Sequence, residues 1–276
     1  FLGIRLSFVD FIKFGSIAIP LIIICIVGVL ILIKLLIKKV PISSKMSYLI
    51  AIGTSVCGAT AIVATAPVIN AKKSEVAYAI ANITLFGVIA MLLYPYFAEW
   101  YFDNEALNVG LFLGTSIHET SQVAAAGLIY DQQFNSPETL NVATVTKLIR
   151  NTFLVVLIPL FAFLYNRGEL KGQKYSIFNI FPYFVLGFIG MIIVRNLGDQ
   201  LYPVGSNNHE IWVNLIEYFK ILTTVFLTMA MAAVGISINL SELKSMGYKP
   251  FVVGLIAAVT VGIISLIYIE TLNKFI

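Results

Sequence analysis

Two short polar interruptions in an otherwise apolar chain carry most of the side chains able to do chemistry. One reads Gly114-Thr115-Ser116-Ile117-His118-Glu119-Thr120-Ser121. The other, Gly53-Thr54-Ser55-Val56-Cys57-Gly58-Ala59-Thr60, aligns with it without gaps, 61 residues earlier. His titrates near neutrality and Glu supplies a carboxylate, so His118 and Glu119 are candidates to accept a coupling proton or sodium ion. Neighbouring residues on a regular helix do not face each other, so this chemistry needs a helix break at which the two converge. The competing reading makes Glu119 a structural counter-ion for Lys147 or Arg150. Thr54, Ser55 and Thr60 at one interruption, with Thr115, Ser116, Thr120 and Ser121 at the other, offer hydroxyl donors. Gly53, Gly58 and Gly114 let the backbone turn tightly and approach a ligand closely. Two half-helices meeting at each interruption would aim unpaired N–H groups at one spot, a backbone site for an anion. Small residues also serve plain helix packing in lipid, but the duplication favours a binding role.

Lys147, Arg150 and Asn151 form a second constellation. Their spacings, i to i+3 and i to i+4, place them on one helical face. They stand ten to fourteen residues into an apolar span, too deep for easy snorkelling to the interface. Two cations and an amide on one face suit an anion, with Arg offering a forked donor to an oxyanion. Arg195 with Asp199 and Glu217 with Lys220 read as ion pairs at span ends, each contributing little. His209 reads as a solvated loop residue. One buried His and two distant cysteines make no metal pattern, and Cys57 reads as a packing residue. No nucleophile elbow, P-loop, CxxC or dinucleotide fingerprint is found, so neither a cofactor nor a catalytic set is expected.

The elements that must position these groups are membrane helices. Hydrophobic residues make up 59% of the chain and charged residues 12%, against about a quarter charged in soluble domains. The net charge of +4 reads as loop lysines on the cytoplasmic side; no dense basic face for nucleic acid is present. Cys25 and Cys57 lie in apolar segments and imply no disulfide framework. Spans are expected at Gly15–Ile33, Glu75–Trp100, Glu138–Tyr165, Ile177–Val194, Trp212–Ile238 and Phe251–Ile269, after an interfacial segment from Phe1 to Phe14. The two interrupted segments, 46–70 and 107–130, are either re-entrant hairpins or broken crossing helices. Charge favours hairpins from opposite faces, because only then do Lys72 and Lys73 fall inside while Glu99–Glu105 falls outside. Each hairpin arm would be about ten residues, too short to span, and tolerated only where protein or a cavity surrounds it.

The two GTS motifs, the Lys147–Asn151 run KLIRN, the opening Gly3-Ile4-Arg5-Leu6-Ser7 and MAMAAVGISINLSEL from Met229 to Leu243 resemble the YeiH-like sulfate exporter family of bacterial inner-membrane proteins. The resemblance spans nearly the whole chain. It implies helices preceding Phe1, and distant kinship with cation/proton antiporters and bile-acid symporters. The family commonly has an aspartate where this chain has Glu119, which would keep the charge with a longer reach.

The resulting expectation is an all-α polytopic membrane protein, one transporter domain over 1–276, whose two discontinuous or re-entrant segments form an inverted-type repeat. Its function would be secondary transport of a small anion, a sulfate or organosulfur oxyanion, coupled to a proton or sodium gradient and not to ATP. The lipid bilayer is its surrounding and a homo-oligomer is compatible with it. An anion channel and an intramembrane enzyme using His118 and Glu119 are the alternatives. Saturable flux that depends on a second ion would separate a carrier from a channel, and product formation would mark an enzyme.

Overall fold

The computed structural model describes residues 8–166, 183–206, 208–237 and 247–274, together with Ile4, Ser241 and Lys244. Among these the regular structure is helical throughout. Four stretches are long and apolar enough to cross a membrane: Ile12–Leu36, Lys73–Phe102, Pro137–Phe161 and Lys249–Asn273. They belong to α1 (Phe8–Leu36), α4 (Lys73–Phe102), α7 (Pro137–Thr152) with α8 (Leu154–Asn166), and α11 (Lys249–Asn273). The large side chains that remain exposed, such as Ile23, Ile31, Leu92, Leu93 and Ile267, are apolar, as a lipid-facing surface requires.

The first interrupted segment folds back on itself. α2 (Ser44–Ser55) is capped by the Ser43 hydroxyl, which accepts from the Met46 N–H. It ends at Val56–Gly58, where Gly58 takes a positive φ of 54° that favours glycine. The return arm is α3 (Ala59–Thr65). Both feet of this hairpin stand together: Lys45 Nζ donates to the Asn70 carbonyl at 2.6 Å, and Ser43 donates to Glu75 in the first turn of α4 at 2.5 Å.

The second segment does the same from the other side. α5 (Ala106–Ser116) and α6 (Thr120–Phe134) are separated by the extended residues Ile117 to Glu119. Gly110 and Gly114 of α5 pack on Val142–Thr146 of α7 in ascending order. α6 runs the opposite way along α7, with Thr120 beside Asn151 and Gly127 beside Leu140. Its foot is tied back to the end of α4 and the turn before α5, where the Tyr130 hydroxyl meets Glu99 and, at 3.2 Å, Asn104.

α4 joins the two feet. Its 30 residues measure about 45 Å at the ordinary helical rise, enough to run from one face to the other. Gln122, in the first turn of α6, donates to the Thr84 carbonyl at 3.2 Å, placing that tip near the middle of α4. The segments at 46–70 and 107–130 therefore each fold back on themselves, with their feet at opposite ends of α4. α1, α4, α7 and α11 wall them in. α11 is fixed to α4 by Tyr78 donating to Gly247 and Asn82 to Pro250, both at 2.8 Å.

Lys34, Lys38, Lys39, Lys45, Lys72, Lys73, Lys244 and Lys249 collect at the face of the first hairpin's feet. Glu99, Asp103, Glu105, Asp131, Glu138 and Glu270 collect at the other. Arg167, Lys171 and Lys174, placed with the basic face on sequence grounds, lie outside the described residues. α9 (Tyr183–Leu201) and α10 (His209–Ser237) form a peripheral pair. Asp199 joins them, accepting from Arg195 Nε at 2.8 Å and Trp212 Nε1 at 2.9 Å. Glu217 and Lys220 pair as expected at 2.7 Å. His209, read as a solvated loop residue, is half-exposed at the first position of α10, with its Nδ1 2.9 Å from the Tyr202 carbonyl.

Candidate functional site

The tips of the two hairpins meet, and the buried ionisable residues gather there. Of the described buried Asp, Glu, His, Lys and Arg side chains, His118, Glu119, Lys147 and Arg150 lie at the junction, whereas Glu75 lies at a hairpin foot.

α7 supplies the cations, both fully buried. Lys147 Nζ donates to the Val56 carbonyl at 2.7 Å and to the Ile117 carbonyl at 2.9 Å. Arg150 Nε donates to the Ser55 carbonyl at 2.8 Å, and its two terminal nitrogens donate to the Thr115 and Thr54 carbonyls. Each cation therefore spans both hairpins. The reason lies in the helix breaks: α2 and α5 end at the junction, leaving unpaired carbonyls and a partial negative charge at each C-terminus. Cations at these ends satisfy the carbonyls and offset both dipoles. The forked donor expected to face an oxyanion grips backbone carbonyls, and what it prepares is the junction's shape and charge.

Glu119 reaches across in the other direction. Its Oε1 accepts from the Ala59 N–H, the first residue of α3. Gly58 makes room for it, because a Cβ at Gly58 would collide with the Glu119 carboxylate. The repeat places Gly58 at the position equivalent to Glu119, so the cross-tip bond exists once. No ion pair joins Glu119 to Lys147 or Arg150 among the described residues. Nor does a hydrogen bond join it to His118, whose Nδ1 is unpartnered there.

The remaining sequence candidates separate into three groups. Gly53 and Gly114 permit close approach, a Cβ at the former meeting Ile62 and Ile83 and at the latter Ala143 and Thr146. Thr54, Ser55, Ser116 and Thr115 are buried in the tips; the first three have hydroxyls without a partner, and Thr115 shares 2.7 Å contacts with the Leu111 carbonyl and Ser265. Thr120 accepts from Asn151 Nδ2 at 3.2 Å. Thr60 and Ser121 are exposed and stand off the closed junction. Sequence reasoning did not reach Ser265 or Thr146, whose hydroxyl is fully buried and unpartnered, nor give Gln122 a role despite its orphaned Oε1. Ser265 had one weak signal, a hydroxyl in the apolar last span, which Thr260 and Tyr268 share.

Buried polar atoms without partners are uncommon and costly. Here Thr54, Ser55, Ser116, Thr146, His118, Gln122 and Asn151 each contribute one. They cluster at and beside the hairpin tips, where the four hydroxyls can donate to a small ligand and the Gln122 and Asn151 side-chain oxygens can only accept.

Fold and site together define a class: a polytopic membrane protein in which two opposed re-entrant hairpins are locked tip to tip by buried cations. The chain belongs to the family described as Conserved hypothetical protein 698, whose model matches residues 1–254. A UPF0324 membrane protein of Fusobacterium nucleatum is 35% identical over 271 residues, covering 96% of this chain and 78% of that one. One from Streptococcus agalactiae serotype V is 35% identical over 267 residues, covering 95% and 75%. One from Clostridium tetani is 30% identical over 288 residues, covering 99% and 78%. No solved structure matches. The YeiH-like resemblance agrees with this family, and the chain is a membrane protein.

Proposed function

We propose that this protein is a secondary active transporter of a small anion, of the sulfate or organosulfur oxyanion class, coupled to an ion gradient and resident in the bacterial inner membrane as a multi-pass protein. The observation that carries the reading is the charge at the tips. Two fully buried basic side chains, Lys147 and Arg150, stand at the junction with one buried acid, Glu119. One positive charge is in excess at mid-membrane, where an uncompensated charge is costly. An anion entering among the unpartnered hydroxyls would neutralise it. A fixed site between two repeats at the midplane suits alternating access.

The test is thermal stabilisation of the purified protein by sulfate, sulfite, thiosulfate, small sulfonates, carboxylates and chloride. A ligand that binds the folded state alone raises stability as RT ln(1 + [L]/Kd). A shift with an oxyanion, reduced when Ser55 and Ser116 are replaced by Ala, is the expected result. Indifference to every anion would remove the anion reading.

A further inference from the structure

The charge excess and the cross-tip reach of Glu119 have a joint consequence for which anions the site accepts, one that rests on the anion-transport reading above. Counting Lys147 and Arg150 as protonated and Glu119 as ionised, the buried groups of the junction carry one formal positive charge in excess, so a bound monoanion brings the count to neutrality. A bound dianion would leave a net negative charge buried in protein at membrane depth, a state disfavoured by desolvation. Neutrality returns if the junction takes up one proton. We propose that Glu119 sets this exchange: a monoanion binds to the ionised carboxylate form of the junction, and a dianion binds together with one proton on Glu119.

The groups facing Glu119 support this assignment. From α7 come Lys147 and Arg150, whose donors rest on five carbonyls of the two helix C-termini, surroundings that favour their cationic forms. From the first hairpin come Cys57 and the Ala59 N–H; His118 is the preceding residue, and no hydrogen bond joins it to Glu119 among the described residues. Among the described residues no second carboxylate is buried at the junction. The Glu119 side chain is therefore the acidic group there whose charge can be cancelled by a proton without releasing a helix end. Gly58 is its positioning residue, since a side chain at 58 would occupy the place of the carboxylate. In the other half of the repeat glycine stands where the acid would be, so one proton, not two, follows from the sequence.

The experiment compares sulfate, a dianion, with methanesulfonate, a monoanion of similar size and shape, on the full chain in detergent. Titration calorimetry in two buffers of different ionisation enthalpy reads protons taken up per anion bound. Sulfate is expected to take up one and methanesulfonate none. On the alkaline side sulfate affinity should fall by about tenfold per pH unit, as linkage to one proton requires, while methanesulfonate affinity stays level. In Glu119→Gln sulfate should bind with no proton uptake and no such slope, and His118→Gln should keep both. Equal slopes for the two anions in the wild-type protein, which need no variant to fold, would overturn the proposal. Uptake that survives Glu119→Gln but is lost in His118→Gln would overturn it too. If neither anion binds, the anion-site reading itself falls.

Discussion

Arg150 makes its hydrogen bonds to backbone carbonyls of Thr54, Ser55 and Thr115, on two hairpins far apart along the chain. Removing the guanidinium leaves three buried acceptors without partners, each costing about 1–3 kcal/mol. Arg150→Ala should therefore lower the unfolding temperature in detergent steeply, even with no anion present. Arg150→Lys should recover part of the loss, since one ammonium keeps the charge but not the planar fork. A variant Arg150→Ala that unfolds like the wild type while losing anion affinity would make the residue a ligand and not a clamp. Gly58 supports a second prediction. Gly58→Ala forces a side chain onto a positive φ and into the Glu119 carboxylate, so it should cost about 1–3 kcal/mol, in the range of other strained backbone positions. Thermal unfolding of Gly58→Ala in the wild-type background and beside Glu119→Ala, which removes the colliding atoms, would read how much of the cost is the collision.

Both hairpins are built from arms too short to span, and their feet carry charges of opposite sign. That much was legible in the sequence: the duplicated GTS motif marked the tips, and lysines against acidic residues separated hairpins from crossing helices. The partners of Lys147 and Arg150 were not legible. A carbonyl at a helix end has no side-chain signature, and Val56 stands 91 residues from Lys147. Nor could the motif say that Thr60 and Ser121 face outward. Helical residues turn by about 100° each, so the position after a buried first residue leaves the junction whatever its chemistry. The hairpin arrangement is checked by cysteine accessibility. Cys25 and Cys57 are buried, so background labelling should be low. Lys72→Cys should react from the basic face and Asp103→Cys from the opposite face; labelling of both from one side would discard it. Packing of α5 on α7 is tested by Gly114→Leu, whose Cβ would approach the Ala143 carbonyl and Thr146 to 2.7 Å. Overpacking of this kind costs about 1–3 kcal/mol, and here it should also displace the tip that carries Ser116 and weaken anion-induced stabilisation.

At the scale of the molecule, the ties are unevenly spread. Hairpin tips, α7 and α11 are joined by buried hydrogen bonds: Lys147 and Arg150 to both tips, Thr115 to Ser265, Asn82 to Pro250. α9 and α10 are held to each other at one end through Asp199, and α9 reaches the N-terminal segment by Arg195 donating to the Ile4 carbonyl at 3.3 Å. Local stability follows buried contacts and satisfied backbone, so the tip assembly should open as one cooperative unit and the α9–α10 pair by itself. Because both cations span both tips, a conformational cycle that separated the hairpins would have to strip five carbonyls of donors at once. A cycle that moves the joined tips as one body against the surrounding helices leaves those bonds intact. Hydrogen exchange in detergent distinguishes the two. Amides of α5 and α7 are expected to exchange slowest and together, those of α9 and α10 faster and independently. Addition of a bound oxyanion should deepen protection across 53–58 and 114–120 in step. Protection that rose at one tip while falling at the other would mean that the hairpins part during binding, and the clamp by Lys147 and Arg150 would then belong to one state of the cycle only.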